Sequence, residues 1–289
     1  MLRACRVRRR DARLALCPGR LCSAACDMTP RHSVADRSYA LVGGTSGMGF
    51  AAAELLVEAG ARVALIGRDK DRAIQRAALL GGHAIGEGGD ESGVEAAIAR
   101  AHDRLGRLDG LAVTAGPIAR RGGIMELADS DWEESFETIF MLTMRSLRAA
   151  LPLLEANGGG TIVTTAAYSI RAPKPILPHY GAMKAAVACL TKNIAMSHGE
   201  RGIRANCIAP GAIATEALDE ARDTAAKRYP DDDPDAALNR LMVEDWGLDV
   251  AQRRVGLPHE AAELIVFLLS PAATFMTGAL INIDGGTGF

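Results

Sequence analysis

Tyr180 and Lys184 stand four residues apart and are the side chains of this chain best placed to do proton chemistry. On a helix, residues i and i+4 lie one turn apart on the same face. A free phenol titrates at about 10 and a free lysine at about 10.4. A lysine cation beside a phenol favours the phenolate and draws the phenol's pKa down. A tyrosine tuned that way exchanges protons near neutral pH, as general acid–base catalysis requires. The spacing alone recurs in many helices, so its meaning depends on what precedes it.

What precedes it is a loop suited to phosphate. Residues 38–42 read as a short buried strand that runs into Gly43, Gly44, Thr45, Ser46, Gly47, Met48 and Gly49. Residues 50–59 then read as a helix ended by Gly60, and 62–66 as the next strand. Glycines on a strand–turn–helix let the backbone approach a pyrophosphate. The helix N-terminus adds unpaired N–H groups and the positive end of its dipole. No lysine follows Gly49, so the loop is not a P-loop. Nor is Ser46 the nucleophile of a hydrolase elbow, because Met48 stands where that motif needs a glycine.

Together these segments resemble the short-chain dehydrogenase/reductase family. Its T-G-x-x-x-G-x-G motif reads Val42, Gly43, Gly47, Gly49 here, and its Y-x-x-x-K reads Tyr180 to Lys184. Its N-N-A-G segment reads Val113, Thr114, Ala115, Gly116; its P-G segment reads Pro210, Gly211 and runs on to Thr215. The C-terminal signature reads Phe267 to Ser270, then Thr277, Gly278 and Asp284 to Gly286. The resemblance runs from about Tyr39 to the end of the chain. It implies a doubly wound Rossmann-type α/β fold, a nicotinamide cofactor and a homo-oligomer, tetramer or dimer. It also implies that Tyr180 is the acid/base and that Lys184 tunes it and bonds the nicotinamide ribose. Asp90 matches the family's adenine-contacting aspartate, while Ile213 and Thr215 match positions near the carboxamide.

An acid at the end of the second strand marks an NAD enzyme, since it bonds the ribose hydroxyls. Here Gly67 takes that place and Arg68 follows, a guanidinium suited to a 2′-phosphate, so NADP(H) is expected over NAD(H). Asp69 next door works slightly against that preference. The departures are equally informative. The family's serine, 13 residues before the tyrosine, is Ala167 here, and its helix asparagine is Ile139. Ser169 or Thr165 could supply the missing hydroxyl, Ser169 being preferred because it lies further toward the substrate. By strand alternation both would point with Ala167, and Tyr168 away. His179 abuts Tyr180 but falls on another helix face, so it reads as a packing or lid residue.

The 289 residues are 48% hydrophobic and 24% charged, with net charge −2. That is enough chain for one large α/β domain, and it carries no electrostatic footprint for nucleic acid. No apolar run approaches the roughly 20 residues of a membrane span. A cytoplasmic enzyme acting on a small molecule is therefore expected. Cys189 and Cys207 read as buried reduced thiols. Cys5, Cys17, Cys22 and Cys26 lack the spacing of a metal clip, and no metal is expected. Residues 1–36 are arginine-rich and acid-poor. They read as a disordered or artefactual extension, with Met28 an alternative start and a targeting signal the weaker reading.

Strands are expected at 38–42, 62–66, 83–85, 109–114, 160–165, 203–208 and 279–283, about seven in one parallel sheet with helices on both faces, over a domain spanning 37–289. Ligands bind such sheets beyond the carboxyl ends of the strands, at the topological switch point. Residues 216–254 are long for a connector and read as a substrate lid, broken at 229–234, with Met242 and Trp246 facing either the pocket or the lid's own core. Arg120, Arg121 and Arg171 could meet an anionic substrate but read first as solvated surface. Phe140, Met141, Leu142, Met144 and Leu147 are apolar almost all round, as a helix between subunits would be.

The leading expectation is hydride transfer between NADP(H) and a carbonyl or secondary alcohol, a 3-oxoacyl group or another ketone. One alternative is a catalytically impaired NADP(H)-binding protein, a sensor or subunit. The other is a reductase of conjugated C=C bonds.

Overall fold

The two strands at the centre of the sheet are short and buried at every position, which is the pattern of a sheet covered on both sides. The computed structural model describes residues 33–245, 247 and 250–287. The extension up to residue 32, with its cysteines and Met28, lies outside the described residues, as does Trp246. The strands are β1 (Ser38–Val42), β2 (Arg62–Gly67), β3 (Ala84–Gly88), β4 (Gly110–Val113), β5 (Gly160–Thr165), β6 (Ile203–Pro210) and β7 (Leu280–Ile283). All seven pair in parallel, in the order β3-β2-β1-β4-β5-β6-β7. The expected strands are all present. β6 runs two residues further than expected because Ala209 and Pro210 pair with Asn282 and Ile283 of β7.

Alternation along β1 shows how the sheet is covered. Ala40 and Val42 join one core with Ile98 of α3 (Val94–Leu105), Leu154 of α5 (Leu142–Ala156) and Ile194 of α6 (Pro178–His198). Tyr39 and Leu41 join the other, with Leu56 of α1 (Gly47–Glu58), Ala77 of α2 (Lys70–Leu79) and Ile265 of α9 (Pro258–Leu269). Val34 belongs to that second core at 4% exposure. The packed chain therefore begins upstream of the expected boundary at residue 37.

A short helix, α4 (Asp129–Ser135), passes without a break into a π-helical turn over Phe136–Met141 and then into α5. After β6, α7 (Asp219–Arg228) and α8 (Pro234–Arg240) flank the expected break, and Asp233 caps α8 by accepting from the amides of Asp235 and Ala236. These helices share a satellite core with Leu241, Met242, Val250 and Val255. Cys207 is buried as expected, but Cys189 is exposed, because it falls on the outward face of α6. No helix among the described residues is long and apolar enough to cross a membrane.

Candidate active site

The sheet order reverses between β1 and β4, and the segments after these strands open on one cleft of about 780 Å³. Every expected site residue lines it: Gly43, Thr45, Ser46, Gly47, Met48, Gly49, Arg68, Asp90, Ala115, Gly116, Thr165, Ser169, Tyr180, Lys184, Pro210, Gly211, Ile213 and Thr215. The glycine loop has no space to spare. Gly43 takes φ +84°, and a methyl group there would stand 2.6 Å from the amide nitrogen of Ala115. Ser46, the N-cap of α1, makes no side-chain capping bond, so the first N–H groups of the helix remain available to a ligand. This is a cradle a dinucleotide pyrophosphate fits.

Tyr180 and Lys184 both lie in α6 and line the cleft, as i and i+4 must. Lys184 is 2% exposed, and its ammonium donates to the carbonyl oxygen of Thr165 at 3.0 Å. It lies 5.6 Å from the centre of the Tyr180 ring. Gly116 leaves room for it, since a methyl group there would come within 2.7 Å of Nζ. Burial draws the Lys184 pKa down to about 8, the neighbouring Cys207 thiol opposing the fall. Burial pushes Tyr180 up to about 12, and the Tyr168 phenol adds to the rise. The expected tuning of the phenol is thus reversed in the protein alone. Lys184 has lost its charge well below the pH at which the phenol titrates, so desolvation of the phenolate wins.

A stability signature follows. Lysine in the unfolded chain titrates at about 10.4, above its folded value of about 8. Between those pH values the unfolded chain binds the extra proton, so this residue makes stability rise with pH. Cys207 and Tyr180, whose pKa values are raised by burial, act in the opposite sense above their ordinary values. The comparison with Lys184→Met isolates the lysine. Without cofactor, Lys184→Met is expected to be more stable at pH 7, on the order of 2 kcal/mol after the lost hydrogen bond is counted. The difference should shrink toward pH 10, as read by urea denaturation at each pH.

Ala167 and Ile139 stand at the expected apolar positions. Ala167 lines the cleft. Ile139 is fully buried in the π-helical turn. Its side chain approaches Gly116 beside Lys184, and its carbonyl accepts from the Thr143 hydroxyl at 2.7 Å. The hydroxyls of Thr165 and Ser169 are buried and have no partner. Both line the cleft, where a ligand atom could meet them. Tyr168 also lines the cleft, against expectation. Alternation holds only as far as Ala167, whose backbone is extended; Tyr168–Ile170 is a 3₁₀ turn, which brings both Tyr168 and Ser169 round.

At the other end of the cleft Arg68 is exposed and makes no bond within the described protein. Asp69 is spent capping α2, where it accepts from the Arg72 amide at 3.0 Å, and it does not line the cleft. One oxygen of Asp90 accepts from Ser92 and Gly93, which leaves its second oxygen for a ligand. His179 is fully buried, edge-on to Trp132 at 6.0 Å, and does not line the cleft, so it packs as expected. Met242 lines the cleft and also joins the satellite core. Of the arginines, Arg121 lines the cleft, whereas Arg120 pairs with Asp131 at 3.5 Å and Arg171 stands outside. Lys174 also lines the cleft, although no motif in the sequence announces it.

A family model described as enoyl-(acyl carrier protein) reductase matches residues 42–288. The 2-(S)-hydroxypropyl-CoM dehydrogenase 3 of Xanthobacter autotrophicus is 32% identical over 253 residues, 86% of this chain and 94% of the relative. A protein of the same organism, named inactive 2-(S)-hydroxypropyl-CoM dehydrogenase 2, is 35% identical and covers 81% of this chain and 98% of its own. Among solved structures, L-sorbose reductase from Gluconobacter frateurii, complexed with NADPH and L-sorbose, aligns with a TM-score of 0.79 at 30% identity, over 88% of this chain and 97% of that one.

Proposed function

This chain belongs to the short-chain dehydrogenase/reductase family of oxidoreductases, and on that footing we propose that it is an NADP(H)-dependent enzyme that interconverts a ketone and a secondary alcohol. One observation carries the reading: a single cleft joins an open phosphate cradle, the Tyr180–Lys184 pair and two buried hydroxyls without partners.

The loop from Gly43 to Gly49 would hold the pyrophosphate, with Asp90 on the adenine side. Ala115, Gly116, Pro210, Gly211, Ile213 and Thr215 would wall the nicotinamide half, and Lys184 would bond its ribose. Bound NADPH supplies the hydride. Tyr180 would give its phenolic proton to the substrate oxygen, and Ser169 would donate a hydrogen bond to that oxygen. Ile139 offers no polar side chain of its own to hold a water beside Lys184. Lys184, at about 8, is a proton donor in the working range for returning the proton to Tyr180. The 216–254 segment would cover the substrate.

Arg68, free and exposed, supports NADP(H) over NAD(H), as does the use of Asp69 as a cap. Arg68→Ala is expected to raise KM for NADPH roughly tenfold or more, the worth of a charge-assisted bond, with a much smaller change for NADH. Equal changes for the two cofactors would remove Arg68 from the 2′-phosphate site. Exposed Met196, Phe267 and Phe275 fit a homo-oligomer, and the body's free thiols fit the cytoplasm.

Ala167 and Ile139 favour a second reading, a protein that binds NADPH but turns over little; one relative is itself named inactive. The description of the matching family model favours a third, C=C reduction. NADPH oxidation measured against ketones, β-keto thioesters and enoyl thioesters separates the three. Ketone turnover is the expected result. Tight NADPH binding with no turnover across the panel supports the second, and turnover confined to the enoyl thioesters the third.

A further inference from the structure

Beyond Tyr180 the cleft is apolar, walled by Ile118, Ile176, Leu177, Leu218 and Met242. Two cations interrupt that wall. Arg121 comes from the segment after β4 and Lys174 from the segment before α6. A hydrogen bond from the Gly122 amide to the Ile176 carbonyl, 3.0 Å, ties the two segments together. The Lys174 ammonium lies 5.8 Å from the centre of the Tyr168 ring. The field of Arg121 reaches the same phenol, lowering a pKa that burial raises.

No carboxylate among the described residues lies within ion-pair distance of Lys174, although the side chain is half-buried. The acids that share the cleft are engaged or remote. Glu216 accepts from Arg72 at 2.6 Å and Arg76 at 3.3 Å. Asp245 accepts from Arg228 at 2.8 Å and from the Tyr229 hydroxyl at 3.3 Å. Asp90 and Glu91 follow β3, at the far edge of the sheet. Lys174 therefore brings into the apolar half of the cleft a positive charge with no carboxylate beside it among the described residues. A neutral substrate that covered Lys174 would strip water from its ammonium and give nothing back.

We propose that the substrate is an anionic ketone or hydroxy compound, whose carboxylate or sulfonate group is held by Lys174, with Arg121 and Tyr168 alongside, while its carbonyl meets Tyr180 and Ser169. The inference deepens the reductase reading and rests on it. An ammonium–anion bond orients the reacting carbon and selects against uncharged ketones of the same shape.

The test compares levulinate, the matching keto-sulfonate and methyl levulinate, with NADPH, in the wild type, Lys174→Met and Lys174→Arg. The readout is the ratio of kcat/KM for each anion to that for the ester. The wild type is expected to favour one or both anions, and the stronger of the two identifies the headgroup. Lys174→Met should lower that ratio roughly tenfold to hundredfold, chiefly through KM, and Lys174→Arg should recover most of it. A wild-type ratio near one, or a ratio untouched in Lys174→Met, overturns the proposal. Calorimetric binding of the same compounds to the NADP⁺-loaded protein gives the ratio without turnover. Selective, Lys174-dependent binding of an anion that is never reduced would keep this proposal and overturn the reductase reading. Equal reduction of anion and ester would do the reverse.

Discussion

Tyr180→Phe is expected to slow ketone reduction by roughly 10²- to 10⁴-fold, the usual worth of a positioned general acid, while NADPH continues to bind. The substitution removes one oxygen and keeps the ring beside which Lys184 lies. NADPH oxidation gives the rate, and quenching of protein fluorescence gives the binding. The pH profile carries a second signature. With the phenol held at about 12, reduction does not run short of its proton at neutral or moderately alkaline pH. The rate should instead fall as pH rises through about 8, where Lys184 loses its charge. A profile flat to pH 10 would remove Lys184 from the proton path.

Ser169→Ala is the other large effect. Removing a donor to the developing oxyanion costs on the order of 10² to 10³ in rate, and the loss should appear in kcat more than in KM, because the bond tightens in the transition state. Ser169 is preferred over Thr165 for a local reason. Its backbone packs on Gly181, the neighbour of Tyr180, where a methyl group would meet the Ser169 carbonyl at 3.9 Å. Thr165 ends β5 and gives its carbonyl to Lys184. Thr165→Val should therefore cost much less than Ser169→Ala. Ala167→Ser supplies the opposite test. If Ser169 already serves the substrate oxygen, a second hydroxyl changes the rate little. A large gain from Ala167→Ser, with Ser169→Ala harmless, would mean that the site is impaired as it stands.

Most of the cleft could be read before the fold was known, because its parts are set by local rules. A glycine loop between a strand and a helix has one geometry, and i,i+4 residues share a face wherever the helix lies. The strands were legible because each is a short apolar run bounded by helix or turn signals. What escaped was set by packing. The turn after Ala167 looked extended from its residues, yet the 3₁₀ turn brought Tyr168 into the cleft. The pKa values of Tyr180 and Lys184 depend on burial and on the neighbouring Tyr168 and Cys207, and neither can be counted off a sequence. Lys174 belongs to no motif; it lines the cleft in a segment tied by the Gly122–Ile176 hydrogen bond to one far away in the chain. The π-helical turn at Ile139 likewise has no signal in residues that read as ordinary helix.

The most direct test of the account is single-turnover reduction with NADPH deuterated at the transferable position of the nicotinamide, the product's label being located by mass spectrometry and NMR. Deuterium is expected on the carbinol carbon of a reduced ketone, at a rate that collapses in Tyr180→Phe. Tightly bound NADPH that passes no label to any ketone, or label that appears only at the β-carbon of a reduced enoyl thioester, would contradict it.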